Sequence, residues 1–219
     1  MLLEFFIRQS EKETSSGQLI MLEEPEAHIH PMLQRTFFDV LAKKEIQTIL
    51  STHSTHITSK APLDTYCVLV QEPTGTSGCN LADVKALDAT AKRDIPRFLD
   101  ATRSTLLYAR KVMLVEGPAE LFLIPALINQ VLGIDLEAIG IAVIPIHGVH
   151  FATYAKLFGP EALRKQCAIV TDGDLPSDAT GQEGDGDVSK PQLAGVENTY
   201  VKVFESATTL EKEISLQRK

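Results

Sequence analysis

The chain has 219 residues, 44% of them hydrophobic, and a formal net charge of −8 at pH 7. This composition is typical of a globular chain with a sizeable core and excludes a disordered one. The acidic balance disfavours strong unaided DNA binding, because affinity for phosphates comes mainly from Lys and Arg. The 3 cysteines are odd in number and lack metal-binding spacing, which indicates a reducing, cytoplasmic setting.

A membrane role is not expected from the sequence. The longest charge-free stretch, residues 138–155, contains Pro145, His147, Gly148 and His150, so it differs from the roughly 20 apolar residues that a bilayer span needs. Charged residues also interrupt the amino terminus before a signal-peptide core of adequate length could form. We therefore expect no membrane partner.

The first half of the chain alternates apolar runs with a helical pattern. The predicted elements, in order, are a buried strand at 19–22, a helix at 31–44, strands at 46–50 and 65–70, a looser Gly- and Pro-containing passage at 72–80 and a helix at 95–109. This order predicts a βαβ unit and therefore parallel strands.

The second half repeats the alternation more regularly. It predicts a strand at 112–115, a helix at 118–131, a strand at 141–146, a helix at 151–158, a strand at 167–171, a polar loop at 172–195, a strand at 201–204 and a helix at 209–216. The fold class predicted for the whole chain is α/β with a mostly parallel sheet in this half.

Two acids, Glu23 and Glu24, come directly after the first predicted strand. In that position one acid can hold Mg²⁺ through water and the next can polarise an attacking water. About thirty residues on, His53 follows the strand at 46–50. The order predicts part of a nucleotide-hydrolysis site, and the alternative is two solvated acids and a structural histidine.

This order resembles the Walker B, D-loop and switch-histidine segment of ABC-type ATPases. Residues 23–31 read Glu-Glu-Pro-Glu-Ala-His-Ile-His-Pro and resemble AAA-15 or OLD-type (overcoming lysogenisation defect) ATPases closely. The phosphate-cradling loop G-x-x-x-x-G-K-[ST] does not occur in the sequence. The resemblance implies the carboxyl-terminal part of an ATPase lobe, with ATP as a cofactor of a longer protein and without intrinsic ATPase activity here. For His28 and His30 we favour packing or capping over metal binding.

Carboxylates also follow two strands of the second half. Glu116 follows the strand at 112–115, and Asp172 and Asp174 follow the strand at 167–171. The carboxyl ends of parallel strands meet at one edge, where ligands collect, and Mg²⁺ prefers several oxygen ligands. If Pro118 opens a helix, Glu120 lies in its first turn and can point back toward Glu116. The alternatives are a helix-dipole role for Glu120 and ordinary loop acids at the two aspartates.

A strand ending in Glu-Gly and a later strand ending in Asp-x-Asp resemble the motifs of Toprim domains, and OLD-type nucleases join an ABC-type ATPase lobe to a Toprim domain. The resemblance implies a DNA endonuclease or nickase that uses two Mg²⁺ or Mn²⁺ ions. Its catalytic and metal-binding residues would be Glu116, Glu120, Asp172 and Asp174. A Thr-Leu-Glu segment adds Glu211 as a further candidate metal ligand, with a solvated helix face as the alternative.

The resemblance also implies an organisation for the chain. Residues 1–75 would belong to the ATPase lobe, 76–110 to a linker and helix, and 111–219 to a Rossmann-like Toprim domain that is incomplete, with a transition-state lysine beyond its end. The intact protein would form a homodimer through the ATPase lobe and act on DNA in defence against phage or in repair, with a helicase as a further expected partner. The alternatives are a regulatory ATP-binding fragment with an inert Toprim site and a truncated product without activity.

Overall fold

The computed structural model describes residues 19–43, 46–72, 75–100, 102–147, 151–172, 193 and 195–206. The chain divides into two compact units, Met1–Ala61 and Pro62–Lys219. Within the described ranges, no helix combines the length and the apolar character that crossing a membrane requires.

The first unit contains the predicted βαβ arrangement. Its elements are β1 (Leu19–Glu23), α1 (Pro31–Ala42), β2 (Gln47–Ser51) and the short helix α2 (Thr55–Thr58). β1 and β2 are parallel, in a register that pairs Leu19 with Gln47 and Glu23 with Ser51. The two strands therefore end together, and the residues that follow them meet at one edge of the sheet.

Side chains at the helix starts fix the path of the chain in this unit. His30 precedes α1 and its Nδ1 accepts a hydrogen bond from the amide of Met32 at 3.3 Å, which is a capping role. Ser54 caps α2 by accepting from the amide of Ile57 at 3.2 Å, and its hydroxyl donates to Gln34 at 2.5 Å. The second contact joins α2 to α1.

The prediction that the first strand is buried is wrong for the described part of this unit. In β1, Leu19 is 50% exposed and Met21 is 72% exposed, and Ile49 in β2 is 52% exposed. Exposed and half-buried residues alternate along both strands. The reason is that the described sheet has two strands, so one of its faces has no described element packed on it.

The second unit begins with a short 3₁₀ helix, Leu63–Thr65, and continues with a β-hairpin where the sequence predicts a strand followed by a loose passage. β3 (Cys67–Glu72) and β4 (Gly75–Asn80) are antiparallel over their whole length. The prediction of a loose passage at 72–80 is therefore wrong. The hydrogen bonds between strands join backbone groups, so a polar sequence can form a strand. The residues of β4 therefore lack the apolar pattern from which a strand is predicted. Gly75, with φ +143°, begins β4 in a conformation that glycine alone adopts readily.

The helix predicted at 95–109 is also wrong in its bounds. The structure has α3 (Ala89–Phe98) followed by a 3₁₀ helix, Arg103–Leu107. The Asp88 side chain accepts from the amide of Ala91 at 2.8 Å and so starts α3 earlier than predicted. Asp100 accepts from the amides of Thr102 and Arg103, which begins a new turn and separates the two helices.

The remaining elements form a parallel α/β sheet. They are β5 (Lys111–Val115), α4 (Pro118–Leu132), β6 (Ile141–Pro145), α5 (Phe151–Ala155), a 3₁₀ helix (Lys156–Phe158), β7 (Cys167–Thr171) and β8 (Val201–Glu205). The strand order is β6-β5-β7-β8, and every pair is parallel. The predicted α/β fold class with a mostly parallel sheet is confirmed.

The core of this unit lies where α3 and α5 pack on the sheet. Leu114 and Ile169 from the two central strands are fully buried there, together with Ile95 of α3 and Tyr154 of α5. In α4, by contrast, Phe122 is 73% exposed, and the buried residue of that helix is Glu120. The central strands are therefore fixed by packing on one face, which gives their carboxyl ends defined positions.

Candidate functional site

The strand order reverses between β5 and β7. β5 is followed in the chain by β6 on one side, and β7 then lies on the other side of β5. In open α/β sheets, ligands bind outside the carboxyl ends of the strands where the order reverses in this way. The residues that directly follow β5 and β7 are Glu116 and Asp172, two of the predicted site residues.

Hydrogen bonds join Glu116 to the end of β7. Its Oε1 accepts from the backbone amide of Asp172 at 2.8 Å and from the hydroxyl of Thr171. Its backbone carbonyl accepts from the amide of His147, which follows β6, at 2.7 Å. The structure therefore brings Glu116 and Asp172 together and connects the ends of three strands around Glu116.

Glu120 lies in the first turn of α4, which begins at Pro118. Its side chain is buried, at 7% exposure, and its Oε2 accepts from the amide of Gly117 at 2.8 Å. This bond returns the carboxylate toward the strand end next to Glu116. An acid in the first turn of a helix commonly makes the same bond to the amide before the helix. This geometry therefore agrees with both interpretations of Glu120 made from the sequence, a metal ligand and a helix-dipole acid.

The remaining predicted ligands, Asp174 and Glu211, lie outside the described residues. Among the residues that are described, no group of three His, Cys, Asp or Glu side chains is close enough to hold a metal ion. Glu116 and Asp172 nevertheless supply carboxylate oxygens, which are the ligands that hard divalent cations prefer. The hydrogen bonds from Thr171 and Asp172 hold the Glu116 carboxylate through Oε1. The oxygen ligands present at this edge therefore fit a divalent cation.

A half-buried lysine lies at the opposite end of β7. Burial lowers the pKa of Lys165 to about 8, and its ammonium group donates to the carbonyl of Leu107. A strand of this length separates its two ends by roughly 15 to 20 Å, at about 3.3 Å per residue. Lys165 is therefore not the transition-state lysine that the family resemblance implies.

The three predicted residues of the first unit lie together at the ends of β1 and β2. Glu23 is the last residue of β1, and Glu24 follows it with φ +40°. The Glu24 carboxylate is 3.4 Å from Nε2 of His53, and both side chains are more than half exposed. The acid after one strand and the histidine after its neighbour thus form a close pair at the surface.

Sequence reasoning missed two residues at these edges. Glu26 accepts from the hydroxyl of Thr52 at 2.6 Å and from the amide of His53 at 2.8 Å. Thr171 donates to Glu116. An acid within the turn after β1 and a hydroxyl at the last inward position of β7 are the signals that could have indicated them.

Both parts of the chain are similar to known protein families. A family model described as the TOPRIM domain of overcoming lysogenization defect protein-like proteins matches residues 107–174. A second model, described as an AAA ATPase domain, matches residues 1–58. The first match contains Glu116 and Asp172, and the second contains Glu24 and His53.

Three curated relatives match the chain over similar lengths. The uncharacterized protein YbjD of Escherichia coli (strain K12) is 31% identical and covers 58% of this chain and 22% of the relative. The Old nuclease of Escherichia phage P2 is 27% identical, and the match covers 64% of this chain and 25% of the relative. The OLD nuclease of Thermus scotoductus is 30% identical, and the match covers 59% of this chain and 26% of the relative. The chain thus spans about a quarter of the length of these relatives.

A solved structure, the C-terminal region of the Burkholderia pseudomallei OLD protein, is 31% identical and covers 48% of this chain and 57% of that one, with a TM-score of 0.39. The two family models match different parts of the chain, an ATPase part and a Toprim part. In having both parts, this chain is similar to proteins of the OLD family.

Proposed function

We propose that this protein is a metal-dependent DNA endonuclease or nickase. The observation that carries the proposal is the contact between Glu116 and the end of β7: two carboxylate-bearing residues are neighbours at the carboxyl edge of a parallel sheet, where ligands commonly bind. The names of the two nuclease relatives support the reaction, and the Toprim match over the same residues supports the location.

The residues proposed to hold two Mg²⁺ or Mn²⁺ ions are Glu116, Glu120 and Asp172, with Asp174 and Glu211. Ions held by these residues would supply positive charge that stabilises the hydrolysis of a phosphodiester. The chain's own contribution is positional, because the bonds to Oε1 fix the Glu116 carboxylate and the amide of Gly117 fixes that of Glu120.

The ATPase part is proposed to be coupled to cutting in a longer protein. The pairing of Glu24 with His53 supports this, because an acid and a histidine after neighbouring strands can act on a water and a phosphate. The same pairing favours the second candidate function, a regulatory ATP-binding protein with an inert Toprim site. Detectable ATP binding by a chain that does not nick DNA would favour that candidate over the nuclease.

The domain bounds and partners are also proposals. We assign residues 1–75 to the ATPase part, 76–110 to a linker and helix and 111–219 to the Toprim part, whereas the compact units divide between Ala61 and Pro62. Dimerisation through the ATPase part and a helicase partner are proposed for the longer protein.

Nicking of supercoiled plasmid tests the proposed function. We expect nicking with Mg²⁺ or Mn²⁺ and none with EDTA. We expect Asp172→Ala to lower the nicking rate at least about 100-fold, because loss of a metal ligand that stabilises the transition state costs several kcal/mol. Glu137→Gln is the matched control, since Glu137 is an exposed acid before β6, at the other edge of the sheet. Nicking that survives Asp172→Ala would overturn the proposal.

A further inference from the structure

A buried hydroxyl occupies the last position of β7. Alternate residues of this strand, Cys167, Ile169 and Thr171, are buried, and the first two are apolar. Thr171 is 4% exposed. An isosteric valine would fill that place without a polar atom, and a buried hydroxyl is costly unless it is hydrogen-bonded. The hydrogen-bond partner of the Thr171 hydroxyl should therefore explain why a polar residue is buried there.

That partner is the Glu116 carboxylate, 55 residues earlier in the chain. The Thr171 hydroxyl and the amide of Asp172 both donate to Oε1, so one carboxylate oxygen is held by two groups of the neighbouring strand. Hydrogen bonds to an ionised acceptor are stronger than those between neutral groups. The carbonyl of Thr171 also accepts from the amide of Ser206 at 2.9 Å, which fixes the backbone on the β8 side.

We infer that Thr171 is a positioning residue for the metal-binding carboxylate of Glu116: its buried hydroxyl holds Oε1 against β7 and so directs Oε2 toward a divalent cation. The inference rests on the proposed function, which it deepens. A glutamate side chain otherwise loses rotamer freedom when it binds a cation, and a carboxylate that is already held loses less. Residues that hydrogen-bond to a metal ligand commonly contribute about 10- to 100-fold to metal affinity.

The test compares Mn²⁺ affinity, measured by calorimetry, in four forms of the full chain. Thr171→Val removes the hydroxyl at constant shape, and we expect its Mn²⁺ affinity to fall about 10- to 100-fold. Thr171→Ser keeps the hydroxyl, and we expect its affinity to stay within about threefold of wild type. Ser104→Ala is the matched control, because Ser104 is also fully buried and donates to a backbone carbonyl, that of Leu99.

A double-mutant cycle shows whether Thr171 acts through Glu116. In a Glu116→Gln background, Thr171→Val should lower Mn²⁺ affinity no further, because the carboxylate it positions has gone. Urea unfolding establishes that each variant is folded. If Thr171→Val does not fold, Thr171→Ala, which removes the same hydroxyl, is measured instead.

Three results would overturn the inference: wild-type affinity in Thr171→Val, an equal loss in Thr171→Ser, or an equal loss in Ser104→Ala. Nicking by wild type is measured in parallel. If Mn²⁺ binding depends on Thr171 but the protein does not nick DNA, the nuclease proposal fails and the positioning role stands. If the protein nicks DNA but Thr171→Val leaves Mn²⁺ affinity unchanged, the positioning role fails and the nuclease proposal stands. If the wild-type chain binds no Mn²⁺, both fail.

Discussion

Glu26 joins the turn after β1 to the residues that follow β2. Its Oε1 accepts from Thr52 and from the backbone amide of His53. The turn that carries it is closed by a hydrogen bond of 3.0 Å from the amide of Ala27 to the carbonyl of Glu24. Since the Glu24 carboxylate faces His53, Glu26 fixes the backbone of the histidine and shares a turn with the acid.

Replacing Glu26 should loosen this edge. Glu26→Ala removes an acceptor from two donors, which typically costs about 1 to 3 kcal/mol, and we expect the His53 amide to exchange its hydrogen roughly 5- to 100-fold faster. Glu26→Gln is the matched control, because its amide oxygen can accept the same two bonds, and its effect should be smaller. Amide hydrogen exchange read at His53 provides the measurement, and equal exchange in Glu26→Ala and wild type would contradict the role.

At the residue scale, the sequence identifies the groups that carry charge but not the groups that hold them. Glu116 and Asp172 could be predicted because each follows an apolar run that reads as a strand. Thr171 and Glu26 could not be assigned, because each contacts a residue directly after a neighbouring strand, 55 and 26 positions away. Such contacts depend on register and strand order, which residue spacing along the chain does not specify.

Among the elements, α4 matters most for the site because Glu120 lies in its first turn. The helix begins at Pro118, whose fixed φ suits a first turn, and ends at Gly133. Gly133 has φ +66° and its amide donates to the carbonyl of Asn129 at 2.9 Å. Among the described residues, no atom beyond its chain neighbours and the adjoining helix backbone lies within 4 Å of a β-carbon placed there, so the requirement for glycine is conformational.

Gly133→Ala should destabilise the protein by about 1 kcal/mol, because a left-handed conformation is unfavourable for alanine. Gly133→Asn should cost less, since asparagine tolerates that conformation better, and it provides the matched comparison. Urea unfolding measures both. Mn²⁺ affinity should be unchanged in either variant, because Glu120 lies at the other end of α4. An alanine variant as stable as wild type would contradict a conformational requirement.

The elements that sequence patterns located well are those whose ends have a local signal. β7 matches its prediction at 167–171, since an apolar run stops there at an acid, and α4 begins at the predicted proline. The hairpin strand β4 and the break after α3 were missed. β4 is paired through backbone groups, and the break is made by the side chain of Asp100, so neither has a hydrophobic period to reveal it.

For the molecule as a whole, charge limits how DNA can be engaged. The chain has 29 Asp and Glu against 21 Lys and Arg, and the proposed site adds carboxylates at the edge that a phosphodiester would approach. Two negatively charged partners repel, and bound cations invert the local charge. Metal ions should therefore act in DNA binding as well as in the chemical step.

We expect the chain to bind a short DNA duplex weakly in EDTA, with a Kd of about 10 μM or higher, as is usual for non-specific contacts at moderate salt. Mg²⁺ at matched ionic strength should tighten binding at least about tenfold, because at the proposed site it would neutralise carboxylates that otherwise repel the phosphates. Glu116→Gln should lose most of that gain, whereas the control Glu137→Gln should keep it. Fluorescence anisotropy with labelled DNA measures all four conditions. If affinity is the same in EDTA and Mg²⁺, the cations do not bridge protein and DNA, and the proposed metal site is not where the DNA binds.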